Sequence, residues 1–246
     1  MLIPQRSDAI HKNWMYRVLT EIADDTALNE LLRFKGGTCA AMRGIIDRFS
    51  VDLDFDLIDD KKITNANSHL EKIFKKLGLQ IKDHSHSVPQ YFVKYDNKPG
   101  ERNTLRLDVT TPPPAANDYE PVRLTEIDRI INCQTPETMF ANKLVAILER
   151  YEKYKSIAGR DIFDVHTFYT KGLTYKAQII EERRKTNLRE FLDELCSFIE
   201  KNITQTILDE DLNTLMPPEA FHKIRKYLKG EVVNFLKTEI NRIGPA

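Results

Sequence analysis

From residue 8 to residue 23 the apolar residues Ile10, Trp14, Val18 and Ile22 recur every four positions, the spacing of one helical face. Ser7 and Asp8 offer side-chain oxygens to cap its first turn. The rhythm then shortens. A short apolar stretch around Leu32 and Phe34 runs into Gly36-Gly37-Thr38, and residues 40–46 read as a short helix. Residues 51–57 alternate strictly, which predicts a strand. A helix is expected over about residues 65–77, stopped by Gly78. Residues 79–82, 91–95 and 104–110 predict further strands. Pro112-Pro113-Pro114 ends that region, because proline cannot donate to a ladder. One strand or two are expected between residues 122 and 131.

After Pro136 the period becomes helical. Pro136 suits a first turn capped by Thr135. Helices are expected over residues 137–154, 161–169, 188–201 and 218–240. The pattern therefore predicts an α/β (α+β) domain over residues 1–132, a mixed sheet with flanking helices, and a C-terminal helical domain over residues 133–246.

Composition narrows the class. The chain has 246 residues, 41% hydrophobic and 30% charged, which fits a folded globular protein. Its 37 Lys and Arg balance 37 Asp and Glu, so net charge gives no argument for nucleic acid or membrane binding. Any RNA contact needs a local patch. Arg183-Arg184-Lys185 and the group Lys223, Arg225, Lys226 and Lys229 are the candidates. Glu181, Glu182, Asp209, Glu210 and Asp211 lie nearby, so either group reads more simply as a solvated helix face. Cys39, Cys133 and Cys196 have no zinc or disulfide spacing and read as free thiols of a reducing cytoplasm. Arg6 and Asp8 break any signal-peptide core, and no apolar run reaches membrane length. A cytoplasmic protein with no membrane partner is expected. His84 and His86 alternate near a turn and read as surface residues.

The chemistry concentrates in Val51-Asp52-Leu53-Asp54-Phe55-Asp56-Leu57. Side chains alternate across a strand, so Asp52, Asp54 and Asp56 share one face. Aspartate is a poor strand former, and like charges two residues apart repel. Solvent on that face resolves the conflict; so does a hard divalent cation, which takes carboxylate oxygens and keeps positions for phosphate. Just upstream, Gly36 and Gly37 permit close backbone approach to an anion, and Thr38 adds a hydroxyl. The same residues also suit an ordinary turn. On a second strand Leu105, Leu107 and Val109 form the apolar face, so Arg106 and Asp108 point the other way. Asp108 is either a third carboxylate, placed to activate an attacking hydroxyl, or a solvated surface residue.

Phe34-Lys35-Gly36-Gly37-Thr38, with Ile46-Asp47-Arg48-Phe49-Ser50-Val51-Asp52-Leu53-Asp54-Phe55, resembles the opening motif of the AbiEii-type nucleotidyltransferase toxins, of the polymerase-β-like nucleotidyltransferase superfamily. Thr135-Pro136-Glu137-Thr138-Met139-Phe140-Ala141-Asn142-Lys143-Leu144 is similar to that family's helix with an essential lysine. Arg160-Asp161-Ile162-Phe163-Asp164-Val165 is similar to its Arg-Asp-x-x-Asp motif. The likeness covers about residues 30–170. One position departs: family members often carry an acidic residue where Val51 stands between Ser50 and Asp52. Alternation turns Val51 away from Asp52, so the metal ligands are expected to be kept.

The resemblance implies a polymerase-β-like fold that moves a nucleotide from an NTP to an acceptor, RNA and in particular tRNA, as the toxin of a type IV toxin–antitoxin system with a winged-helix antitoxin. By that resemblance Gly36, Gly37 and Thr38 cradle the triphosphate with Ser50 nearby, and Asp52, Asp54 and Asp108 hold Mg2+, or Mn2+ in its place. Asp108 completes the site as metal ligand or general base, and Lys143 brings a point charge to the phosphates from the helical domain. Asp161 orients Lys143 or the nucleotide, while Arg160 pairs with a carboxylate. Arg48 reads as a structural partner of a carboxylate. Two other classes fit the same residues: a nucleotide-binding module without turnover, and a phosphotransferase acting on protein or a small molecule.

Overall fold

A computed structural model describes residues 1–246 other than Leu2, Pro4, Ser7, His86, Pro245 and Ala246. Ser7, read as a helix cap, and His86, read as a surface residue, lie outside the described residues. The chain divides into two compact units, Met1–Pro113 with Asp118–Thr135, and Pro114–Asn117 with Pro136–Ala246.

Among the described residues, the first unit is built on one mixed sheet of seven strands. In chain order these are β1 (Leu32–Lys35), β2 (Asp52–Leu57), β3 (Gln80–Ser85), β4 (Gln90–Lys94), β5 (Thr104–Thr110), β6 (Tyr119–Leu124) and β7 (Arg129–Gln134). Their order across the sheet is β3-β4-β5-β2-β1-β7-β6. The pairs β2–β5 and β1–β7 are parallel and the rest antiparallel. Helices α1 (Asp8–Asp24), α2 (Thr26–Leu31), α3 (Gly36–Met42) and α4 (Ile63–Lys76) accompany the sheet.

Alternation explains the core of this unit. Leu53, Phe55, Tyr91, Val93, Leu105, Leu107 and Val109 are buried, and all fall on one face of β2, β4 and β5 by register. α4 adds Ala66, Leu70, Ile73 and Phe74, and the Phe74 ring meets Tyr91 edge-on at 5.1 Å. α1 buries His11, Met15, Val18, Leu19 and Ile22. The expected stripe is thus rotated: Ile10 is among the exposed large apolar residues, and His11 takes the inner position. His11 is admitted because both ring nitrogens are satisfied, Nε2 donating to the Val51 carbonyl at 2.8 Å and Nδ1 lying 2.6 Å from the Tyr95 hydroxyl.

The second unit is helical: α5 (Pro136–Tyr154), α6 (Gly159–Thr170), α7 (Ala177–Arg184), α8 (Leu188–Asn202), α9 (Gln205–Leu212), α10 (Pro218–Ile224) and α11 (Leu228–Ile243). Aromatic packing marks its core, with Phe140 stacked on Phe168 at 5.1 Å and tilted against Phe235 at 5.9 Å. Residues 114–117 join this unit through Glu182, which accepts from the backbone N–H groups of Ala115 and Ala116 at 2.7 and 2.8 Å. The helix expected over 218–240 is two helices. Phe221, Ile224, Leu228 and Val232 keep helical spacing across the break, so periodicity does not reveal it. Sheet gives way to helix at Thr135–Pro136, since β7 runs to Gln134.

Candidate functional site

The acidic strand β2 stands beside β5 in parallel register, and this places Asp54 opposite Asp108 and Asp52 opposite Arg106. Register partners project to the same side of a sheet. Asp52, Asp54 and Asp108 are half-buried. Continuing outward, Asp108 is opposite Gln90 of β4 and Arg106 is opposite Phe92. One sheet face therefore gathers three carboxylates, a guanidinium, an amide and an aromatic ring.

The third aspartate of β2 has another role. Asp56 is fully buried and accepts from Lys35 Nζ at 2.6 Å, Gln134 Nε2 at 2.7 Å and Tyr119 Oη at 3.0 Å. Lys35 Nζ also donates to Thr110 Oγ1 at 2.8 Å. These bonds satisfy the carboxylate within the fold and tie β1, β5, β6 and β7 to β2. Alternation put the three aspartates on one face; the partners separate Asp56 from the other two.

Gly36 and Gly37 are the first turn of α3, not a loop ahead of it. Gly36 has φ +77°, and a Cβ there would collide with Asp54 Oδ2. Its lack of a side chain is what lets the backbone come against the acidic strand. Gly37 faces elsewhere. A Cβ on it would meet Arg48 Nη2 at 2.7 Å and Ser50 Oγ at 2.9 Å. A side chain at Gly37 would therefore first displace buried Arg48. Arg48 is one of the largest buried side chains, and its Nη1 donates to the Phe49 carbonyl at 2.9 Å. Thr38 is fully buried, and its hydroxyl donates to the Asp52 carbonyl at 2.5 Å. That hydroxyl fastens α3 to β2.

Asp108 is ion-paired with Arg106 and lies 3.3 Å from Gln90 Nε2. Among the described residues no three His, Cys, Asp or Glu side chains are grouped to hold a metal ion. At this face Asp108 is paired with Arg106, a neighbour on its own strand. Asp52 and Asp54 nevertheless present the donor chemistry a hard dication requires, oxygen ligands two residues apart on one strand face. Of the three expected ligands, Asp108 is the one ion-paired with Arg106.

Lys143, Asp161 and Asp164 belong to the second unit. Lys143 Nζ on α5 lies 2.8 Å from Asp161 Oδ1 and 2.9 Å from Asp164 Oδ2, both on α6. Arg150 Nε reaches the other Asp161 oxygen at 3.1 Å. Both carboxylates are fully enclosed. Burial alone would raise the Asp161 carboxyl, but the charges of Lys143 and then Arg150 outweigh it and hold the group far below the ordinary carboxylate range. Of the two roles expected for Asp161, the contact with Lys143 is the one seen in this geometry. The amine expected to bring a point charge to the phosphates is bridged here between two buried carboxylates. Arg160 pairs with Asp211, its backbone N–H donating to Oδ2 at 2.9 Å.

The basic candidates are largely committed. Arg183 pairs with Glu149, Arg184 with Glu152 and Glu194, and Arg225 with Asp209. All three cysteines are free and buried. No helix among the described residues is long and apolar enough to cross a membrane. Sequence reasoning passed over Phe92. Its signal was present: Gln90-Tyr91-Phe92-Val93-Lys94 sets an aromatic where alternation calls for a polar residue.

A mixed sheet with an acidic strand, a glycine turn against it and a third carboxylate in register is the frame of a nucleotidyltransferase fold. Solved structures agree. A Helicobacter pylori protein described as a candidate nucleotidyltransferase superposes with TM-score 0.60 at 18% identity, over 98% of this chain and 100% of that one. JHP933 of Helicobacter pylori gives 0.54 at 19%, over 97% of each chain. MenT4, a nucleotidyltransferase toxin of Mycobacterium tuberculosis H37Rv, gives 0.51 at 16%, over 96% of this chain and 87% of that one. No curated protein sequence matches. Residues 17–231 match the profile of the nucleotidyl transferase AbiEii toxin, Type IV TA system, and the chain belongs to that family.

Proposed function

We propose that the chain transfers a nucleotide from an NTP to RNA, with tRNA the expected substrate, in a reaction that depends on Mg2+ or Mn2+. The observation that carries this reading is the register of β2 on β5, which sets Asp108 opposite Asp54 and beside Asp52, with Gly36 closed against Asp54. Asp52 and Asp54 would hold the dication, joined by Asp108 once Arg106 lets it go. When bound, that ion offsets charge growing on the departing pyrophosphate. The acceptor hydroxyl oxygen forms a bond to the α-phosphorus, the bond from that phosphorus to the bridging oxygen breaks, and pyrophosphate leaves. Asp108 takes the hydroxyl proton. Gly36 keeps the space beside Asp54 clear of side chains. Family membership supports a toxin whose partner is a winged-helix antitoxin, and co-expression that restores growth tests that pairing.

Incubating the protein with each labelled NTP, either metal and total RNA tests the reaction. Label is expected in RNA, and Asp54→Asn is expected to reduce it at least ~100-fold while keeping the fold. Label in protein or a small molecule instead would overturn the acceptor assignment. The Arg106–Asp108 pair favours one rival, a nucleotide-binding module without turnover. Metal-dependent NTP binding with no pyrophosphate release under any acceptor would establish that rival.

A further inference from the structure

We infer that Phe92 and Arg106 form the seat for the acceptor's terminal nucleotide, with the Phe92 ring carrying its base and the Arg106 guanidinium its phosphate. The inference rests on the RNA reading above and deepens it. Phe92 interrupts the polar alternation of β4, facing the same side as Asp52 and Asp108 instead of the apolar core. It is only half-buried, whereas its neighbours Tyr91 and Val93 are fully buried. The part-open ring beside the carboxylates, shared with the Arg106 guanidinium, suits base stacking, because every nucleobase offers a π-face.

Arg106 supplies the second, independent observation. Its guanidinium lies over Phe92, 5.8 Å from the ring centroid, and pairs with Asp108. Its Nε is buried and has no hydrogen-bond partner. A guanidinium that gives one edge to a carboxylate and leaves Nε unspent is suited to exchange that carboxylate for a phosphate, which takes two parallel N–H donors. The exchange frees Asp108. Arrival of the acceptor is thereby coupled to release of the base that activates it.

Position supports the pairing. Phe92 is the diagonal neighbour of Asp108 across β4 and β5, a separation of about 7–8 Å. A base seated on Phe92 therefore has its own ribose hydroxyl on the side of the sheet where Asp108 stands. A strand end is required, because a duplex buries its base faces.

The test uses a dye-labelled single-stranded RNA in fluorescence anisotropy, alongside transfer kinetics. Phe92→Leu is expected to weaken RNA binding about 5- to 100-fold and to raise the RNA KM with little change in kcat. NTP affinity should hold, and Phe92→Tyr should stay within about two-fold of wild type because the ring is kept. Arg106→Gln should lower the salt slope of RNA binding by about 0.7. If Phe92→Leu fails to fold by circular dichroism, the Arg106→Gln slope decides. Wild-type transfer to RNA with unchanged binding by Phe92→Leu would overturn the seat and leave the RNA reading intact. Wild-type transfer only to protein or a small molecule, or no transfer at all, would overturn both.

Discussion

Replacing Lys143 by methionine removes a charge from between two buried carboxylates while keeping most of the stem's volume. The amine bridges Asp161 Oδ1 at 2.8 Å and Asp164 Oδ2 at 2.9 Å, and those side chains are 1% and 0% exposed. Taking one partner from a buried ion pair leaves uncompensated charge and costs about 3–5 kcal/mol. Loss of Lys143 should therefore lower the melting temperature, by a shift on the order of 10 °C. The pH dependence follows from Asp161. Its carboxyl is depressed below the ordinary 3.8 chiefly by Lys143 acting against burial. A depressed carboxyl contributes stability above its unfolded value and loses it as pH falls below. The gap between wild type and Lys143→Met should thus be full at pH 7 and narrow below about pH 4. In a double-mutant cycle, Lys143→Met should cost clearly less on an Asp161→Asn background. Melts followed by circular dichroism across pH supply the measurement. A Lys143→Met protein within about 1 kcal/mol of wild type at pH 7 would refute the argument, since a buried bridge cannot be removed at so little cost.

Three further outcomes are expected. Asp56→Ala should destabilise by about 3 kcal/mol or more in urea, because Lys35, Gln134 and Tyr119 lose their common acceptor; near-wild-type stability would show that those bonds contribute little. Gly36→Ala should cost roughly 1–2 kcal/mol from its left-handed backbone alone and, by pushing Asp54 aside, reduce nucleotide transfer; unchanged transfer would remove Gly36 from the site. Burial holds the His11 imidazole at about 4 against an ordinary 6.5, although its bond to Val51 works the other way. Stability should consequently fall by about 3 kcal/mol as pH drops from 6.5 to 4, and His11→Gln should lose that part of the slope in urea titrations.

Most strand positions were readable because alternation is a local signal. The pattern of residues 104–110 foretold β5 at both ends, and that of 51–57 foretold β2 to within one residue. The short helices α2, α7 and α9 were missed, each having at most eight residues and two buried side chains, too little to set a period.

What no local pattern contains is the pairing of strands distant in sequence. β2 and β5 are separated by α4 and two intervening strands, yet their parallel register decides that Asp54 faces Asp108 and not Arg106. A shift of one residue would have turned Asp108 into the core face. The same limit explains Asp56. Its spacing is identical to that of Asp52 and Asp54, and what marks it as structural is partners distant in sequence, Lys35, Tyr119 and Gln134, 21, 63 and 78 residues away. Lys143 shows the converse: the motif located the residue, while its chemical state depends on α6 carrying Asp161 and Asp164 one turn apart on the side facing α5. Charge in this chain is therefore sorted by burial. Asp56, Asp161 and Asp164 are each enclosed with a lysine, whereas Asp52, Asp54 and Asp108, to which the proposed reaction is assigned, stay half-buried.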